Sequence, residues 1–102
     1  MVRVLHDKQQ LITQACQRFG VSRMHVFGSA LRDDFRLGDS DIDLLVEFSP
    51  MSPYELVDAY FGLLDELRSI LEDQVDLVMV DAVKNRFIAA DIERTKQVLY
   101  AA

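Results

Sequence analysis

The sequence predicts an α+β fold, a small mixed β-sheet of three or more strands covered by helices. Three observations lead there. Short runs rich in β-formers, "SRMHVFGS", "DIDLLVEF" and "QVDLVMV", alternate with longer stretches of helical period. A long helical stretch separates the second run from the third, and such a connection usually joins parallel strands. At 102 residues the chain is long enough for one hydrophobic core, so residues 1–102 read as a single domain.

In chain order, "DKQQLITQACQRFG" places Leu11, Ile12, Ala15, Cys16 and Phe19 on one helical stripe. Asp7 suits its start and Gly20 its end. Cys16 then reads as a small core hydrophobe. "SRMHVFGS" is the first strand, stopped by Gly28, with His25 a packed or edge histidine. "SALRDDF" can wind into a turn or two of helix before a loop at "RLGDS". "DIDLLVEF" is the second strand, ended by Ser49-Pro50.

The next segment carries the clearest helix signals. Ser52 is a good N-cap, Pro53 fits the first helical position and Glu55 completes a capping box. Leu56, Tyr60, Leu63, Leu67 and Ile70 make the stripe, flanked by Val57, Phe61, Leu64 and Leu71, a face broad enough to cover a sheet. Gly62 in its middle marks a close-packing point. "QVDLVMV" is the third strand. "NRFIAADIERTKQVLY" reads as a final helix with Ile88, Ile92 and Leu99 on one face; its Phe87, Ile88 and Tyr100 either pack on the sheet or meet a partner.

Composition narrows the function classes. Half of the residues are apolar and 27% are charged, an ordinary globular balance. Seventeen acids against eleven bases give a net charge of −6, which argues against direct nucleic-acid binding through a broad basic surface. A nucleotide carried with a divalent cation is compatible with that charge, and so is a basic protein partner. A single cysteine excludes an intramolecular disulfide and a cysteine-based zinc site. No apolar run approaches a membrane span and no secretory signal is evident, so the cytoplasm is expected.

The chemistry gathers in three carboxylates. Asp41 and Asp43 are two apart on a strand and point to one face. If the second and third strands are parallel, Asp76 falls beside them, about one strand spacing (~4.8 Å) away. If the first strand is antiparallel to the second, Gly28-Ser29 joins the same corner. Such a turn, opening a short helix, can hold phosphate oxygens. Like charges this close raise one another's pKa unless a cation intervenes. Oxygen donors suit Mg²⁺, and a pair of ions is the usual device for in-line attack on a nucleoside triphosphate.

"GSALR…SDIDLLV", with Asp76 downstream on a strand, resembles the DNA polymerase β-like nucleotidyltransferase superfamily. The size of the chain and the ending "VKNRFIAADIERTKQVLYAA" look like the minimal nucleotidyltransferase (MNT) antitoxins of HEPN/MNT toxin–antitoxin pairs. The resemblance spans nearly the whole chain and implies that superfamily's fold. It implies that Gly28 and Ser29 bind the triphosphate and that Asp41 and Asp43 hold the metals. It implies that Asp76 joins a metal and helps deprotonate the attacking hydroxyl. Ser40 would orient phosphate or the neighbouring acid, and Arg32 would meet phosphate charge. Two departures stand out: Asp33 occupies a place where Gly is common, and "RLGDSD" runs one residue longer than the usual spacing. Asp33, Asp34 and Asp39 otherwise read as a solvated loop.

The resemblance implies transfer of AMP from ATP, with Mg²⁺, to a tyrosine of a cognate HEPN ribonuclease toxin. A non-catalytic antitoxin that acts by binding the toxin is the second expectation. A small-molecule nucleotidyltransferase of the aminoglycoside type is the third; those usually carry an extra helical domain. Tyr54, Tyr60 and Tyr100 are expected at helix edges rather than against a base.

Overall fold

Val21–Phe27 (β1) and Ile42–Phe48 (β2) pair antiparallel, and Val75–Met79 (β3) lies parallel on the other side of β2. The computed structural model, which describes residues 3–28 and 41–102, adds Gln97–Ala101 (β4) antiparallel along the free side of β1. The sheet order is therefore β3-β2-β1-β4. Arg3–Asp7 (α1), Gln9–Arg18 (α2) and Pro53–Leu71 (α3) supply the helical core partners, and Arg86–Thr95 (α4) precedes β4. A single 3₁₀ turn, Val80–Ala82, follows β3.

Alternation along each strand decides which residues meet the helices. Ile42, Leu44 and Val46 of β2, with Met24 and Val26 of β1, are fully buried. They pack in one core with Ile12, Ala15 and Cys16 of α2 and Leu63, Leu67 and Leu71 of α3. The residues between them face the other way, and there α4 brings Ile92 and Ala89 near Leu45 around a small cavity of about 70 Å³.

The expected cap of α3 is present: the Glu55 N–H donates to Ser52 Oγ at 3.3 Å, and Pro53 opens the helix. The Ser52 hydroxyl in turn donates to the Glu55 carboxylate at 3.0 Å. Gly62 is a close-packing point as expected, because a Cβ there would stand 2.5 Å from Cε1 of Phe19.

Four expectations change. The first helix is split at Lys8, so Asp7 ends α1 and Lys8 stands at the N-cap position of α2. The break is slight, since Lys8 N–H still donates to Val4 O at 3.1 Å, and Leu5, one heptad before Ile12, joins the core with it. Leu11, placed on the buried stripe, is exposed. Val57 and Phe61 of α3 are also exposed, because the sheet covers a narrower arc of the helix than the apolar residues span. Finally, the last helix stops at Thr95, and Leu99 and Tyr100 lie on β4. Leu99 is buried as expected, but from a strand.

Each outer strand gives a carbonyl to a helix side chain. The Tyr60 hydroxyl donates to Leu77 O of β3 at 2.5 Å, and Gln9 Nε2 donates to Leu99 O of β4 at 3.3 Å. Gln74 O accepts the Ile42 N–H, so alternation turns the Leu77 carbonyl outward to the unpaired edge. An edge carbonyl taken by a side chain is a poorer template for a stray strand. Replacing Tyr60 by phenylalanine is expected to cost about 1 kcal/mol of stability, read from urea denaturation.

Candidate active site

The site begins with the register of two strands. Asp43 is the second residue of β2, between the fully buried Ile42 and Leu44, so its side chain stands on the opposite face of the sheet. Parallel pairing sets Asp43 directly beside Asp76 and Ile42 beside Val75. The two carboxylates share one face, with backbones one strand spacing (~4.8 Å) apart. Asp43 is half-buried, while Asp76 and Asp41 are exposed. Asp41 immediately precedes β2, at the mouth of the same corner.

The end of β1 closes the third side. Phe27 pairs with Asp43, and Gly28 follows it with φ +68°. A Cβ built on Gly28 would overlap Oδ2 of Asp43. Glycine is therefore required twice, for the left-handed backbone and for the carboxylate that lies against it. The parallel pairing expected from the sequence sets Asp76 beside Asp43, and the antiparallel pairing of β1 with β2, on which the place of Gly28 depended, brings Gly28 to the same corner. Ser29, Arg32 and Ser40 lie outside the described residues, as do the expected helical turn, the loop before β2 and Asp33, Asp34 and Asp39.

Two aspartates in register on neighbouring strands are a source of like-charge repulsion. Among the described residues, no three Asp, Glu, His or Cys side chains converge as a ready-made metal cage. Asp43 and Asp76 nevertheless fit a hard cation such as Mg²⁺, which takes one or two carboxylates and completes its shell from water and substrate phosphates.

His25 lies on this face, paired with Leu45 on β2 and with Val98 on β4. Burial lowers its pKa, with the positive charges of Lys96 and Arg23 adding to the effect and Glu93 and Glu47 opposing it. Lys96 Nζ is held 2.8 Å from Glu93 Oε2. The folded state thus favours neutral His25, and the unfolded chain takes up a proton first as pH falls. Stability present above the ordinary histidine pKa is lost as pH drops through it and on toward the lowered value. Between about pH 7.5 and about 5.5, the parent should lose more stability than His25→Gln, as denaturant titrations at each pH will show.

Cys16 is the core hydrophobe expected. Its Sγ sits 3.9 Å from the Met24 sulfur, and burial pushes its pKa up to about 12. No helix among the described residues is long and apolar enough to cross a membrane.

Comparison with known proteins shows the family and the fold. The nucleotidyltransferase domain family matches residues 8–99. A Methanocaldococcus jannaschii protein with the provisional name protein adenylyltransferase is 39% identical over 79 residues, 76% of this chain and 74% of the relative. Protein adenylyltransferase MntA of Thermococcus cleftensis is 39% identical over 69 residues, 68% of this chain and 66% of the relative. A solved structure provisionally described as a minimal nucleotidyltransferase superposes with a TM-score of 0.76 at 29% identity, covering 91% of this chain and 90% of that one. A toxin–antitoxin crystal structure with AMP-PNP shares the fold, with a TM-score of 0.68 at 20% identity over 92% of this chain and 73% of that one.

Proposed function

The chain belongs to the nucleotidyltransferase domain family, and on that premise we propose that it is an antitoxin enzyme. It moves AMP from ATP to a tyrosine hydroxyl of a cognate HEPN ribonuclease toxin and so neutralises it. The observation that carries this reading is the in-register pair Asp43–Asp76 set against Gly28. Relatives named as protein adenylyltransferases support the acceptor class. The shared fold of a toxin–antitoxin structure with AMP-PNP supports both the nucleotide and the partner.

In the reaction, the tyrosine oxygen bonds to the α-phosphorus of ATP, the bond from that phosphorus to the bridging oxygen breaks, and pyrophosphate leaves. The hydroxyl proton passes to a carboxylate oxygen of Asp76. Gly28 and Ser29 hold the triphosphate, Arg32 meets its charge, and Ser40 orients phosphate or Asp41. Asp43 and Asp76, with Asp41 at the mouth of the same corner, would hold Mg²⁺, and the metal, as two ions, would supply positive charge against the phosphates and favour the deprotonated acceptor. Asp43 and Asp76 come from paired strands rather than loops, so their separation is fixed before substrate arrives.

Incubating the purified toxin with this chain, ATP and Mg²⁺ should add whole AMP units to the toxin, seen by intact mass and placed on a tyrosine by fragmentation. An unmodified toxin under those conditions, or a toxin still modified after its tyrosines are changed to phenylalanine, contradicts the proposal.

A further inference from the structure

One face of α3 carries an apolar stripe that the rest of the described chain leaves open. Tyr54, Val57 and Phe61 are 88, 56 and 59% exposed. Their spacing of i, i+3 and i+7 places them along one line of the helix. It is the spacing with which a helix receives the side chains of a second helix. Beside the stripe, between α3 and the outer strand β3, runs an apolar cavity of about 200 Å³ floored by Leu56, Tyr60 and Met79. A second cavity of about 240 Å³ continues past Leu56 and Met79 to Asp81.

Charge selects the occupant. Asp58 and Asp65 are exposed on α3 along the stripe, and Asp81 is exposed at the far end of the groove. Among the described residues none of the three is ion-paired. The single base of α3, Arg68, stands in its last turn. A second copy of the chain would bring the same acids against these and add its own net charge of −6. A helix with apolar side chains flanked by lysine or arginine matches both the groove and its rim.

We propose that this face of α3 docks a basic-rimmed amphipathic helix of the toxin, an assignment that rests on the antitoxin reading above. The surface is remote from the chemistry. Asp43 and Asp76 stand near the starts of β2 and β3, whereas Tyr54 and Val57 lie at the start of α3, just beyond the end of β2. Holding the toxin and modifying it are then separate acts of one small domain.

Val57→Lys and Phe61→Lys test the surface. Both positions are exposed, and lysine at 61 lies within helical reach of Asp58 and Asp65, so the fold is kept and Tm measures that. Calorimetric affinity for the purified toxin should fall about 100-fold in the double variant. Binding of AMP-PNP with Mg²⁺ should match the parent. Raising salt should weaken the parent complex, and less so after Asp58→Asn and Asp65→Asn. Equal toxin binding by parent and double variant overturns the assignment alone. A parent dimer in sedimentation that the lysines dissolve also overturns it, in favour of a second copy. A toxin that does not bind the parent overturns the assignment together with the antitoxin reading.

Discussion

Changing Asp43 to asparagine is expected to cut AMP transfer by about 10³-fold or more while the chain stays folded. Asparagine keeps the shape of aspartate and removes its charge. The side chain faces away from the core that Ile42 and Leu44 fill, so packing is untouched. What is lost is one of two carboxylates held in register, the pair proposed above to meet a cation and the phosphates it carries. A time course of toxin modification by intact mass measures the rate, and thermal unfolding measures the fold. Mg²⁺ gives a second readout without any toxin. At tenfold over its Kd a cation adds about 1.4 kcal/mol to the folded state, so it should raise the Tm of the parent. Most of that increment should vanish in Asp43→Asn. Transfer within tenfold of the parent would remove Asp43 from the chemistry.

Gly28→Ala has the second largest effect, and it separates activity from stability. At φ +68° an alanine costs about 1 kcal/mol, a modest loss of stability. The new methyl also claims the space of the Asp43 Oδ2 atom. The carboxylate is the far end of a short side chain and can rotate aside, so the fold survives. Rotation takes it out of line with Asp76, and a misplacement of about 1 Å costs catalysis about 10²-fold. A transfer rate down about 10²-fold beside a stability loss of about 1 kcal/mol is the expected pattern. A rate loss no larger than the stability loss explains would show that the glycine serves the turn alone.

Much of this corner was legible in the sequence because its causes are local. Alternation in "DIDLLVEF" sets Asp43 opposite the buried residues, and the long helix between β2 and β3 makes their pairing parallel. The caps and glycine of α3 were equally plain. β4 was not legible: Ile88, Ile92 and Leu99 fit one helical face, and nothing local tells "QVLYA" that the side of β1 needs a partner. That is a tertiary demand. Val57 and Phe61 misled for a related reason, since an apolar residue beside a core stripe looks the same whether a sheet or a partner covers it. Tyr60 left a subtler trace, a hydroxyl in a stripe otherwise made of leucines and one isoleucine, which marks an acceptor waiting at the sheet edge.

Cys16 makes the native chain silent toward thiol reagents. Its sulfur is fully buried and its pKa stands at about 12, so thiolate is scarce and out of reach until α2 leaves the core. Labelling at this position therefore counts openings rather than surface encounters. A cysteine placed at the exposed Ser69 would take up a dye within the native state, and Cys16 would react only on unfolding. One sample can then carry a reporter of toxin docking and a clock for its own global opening.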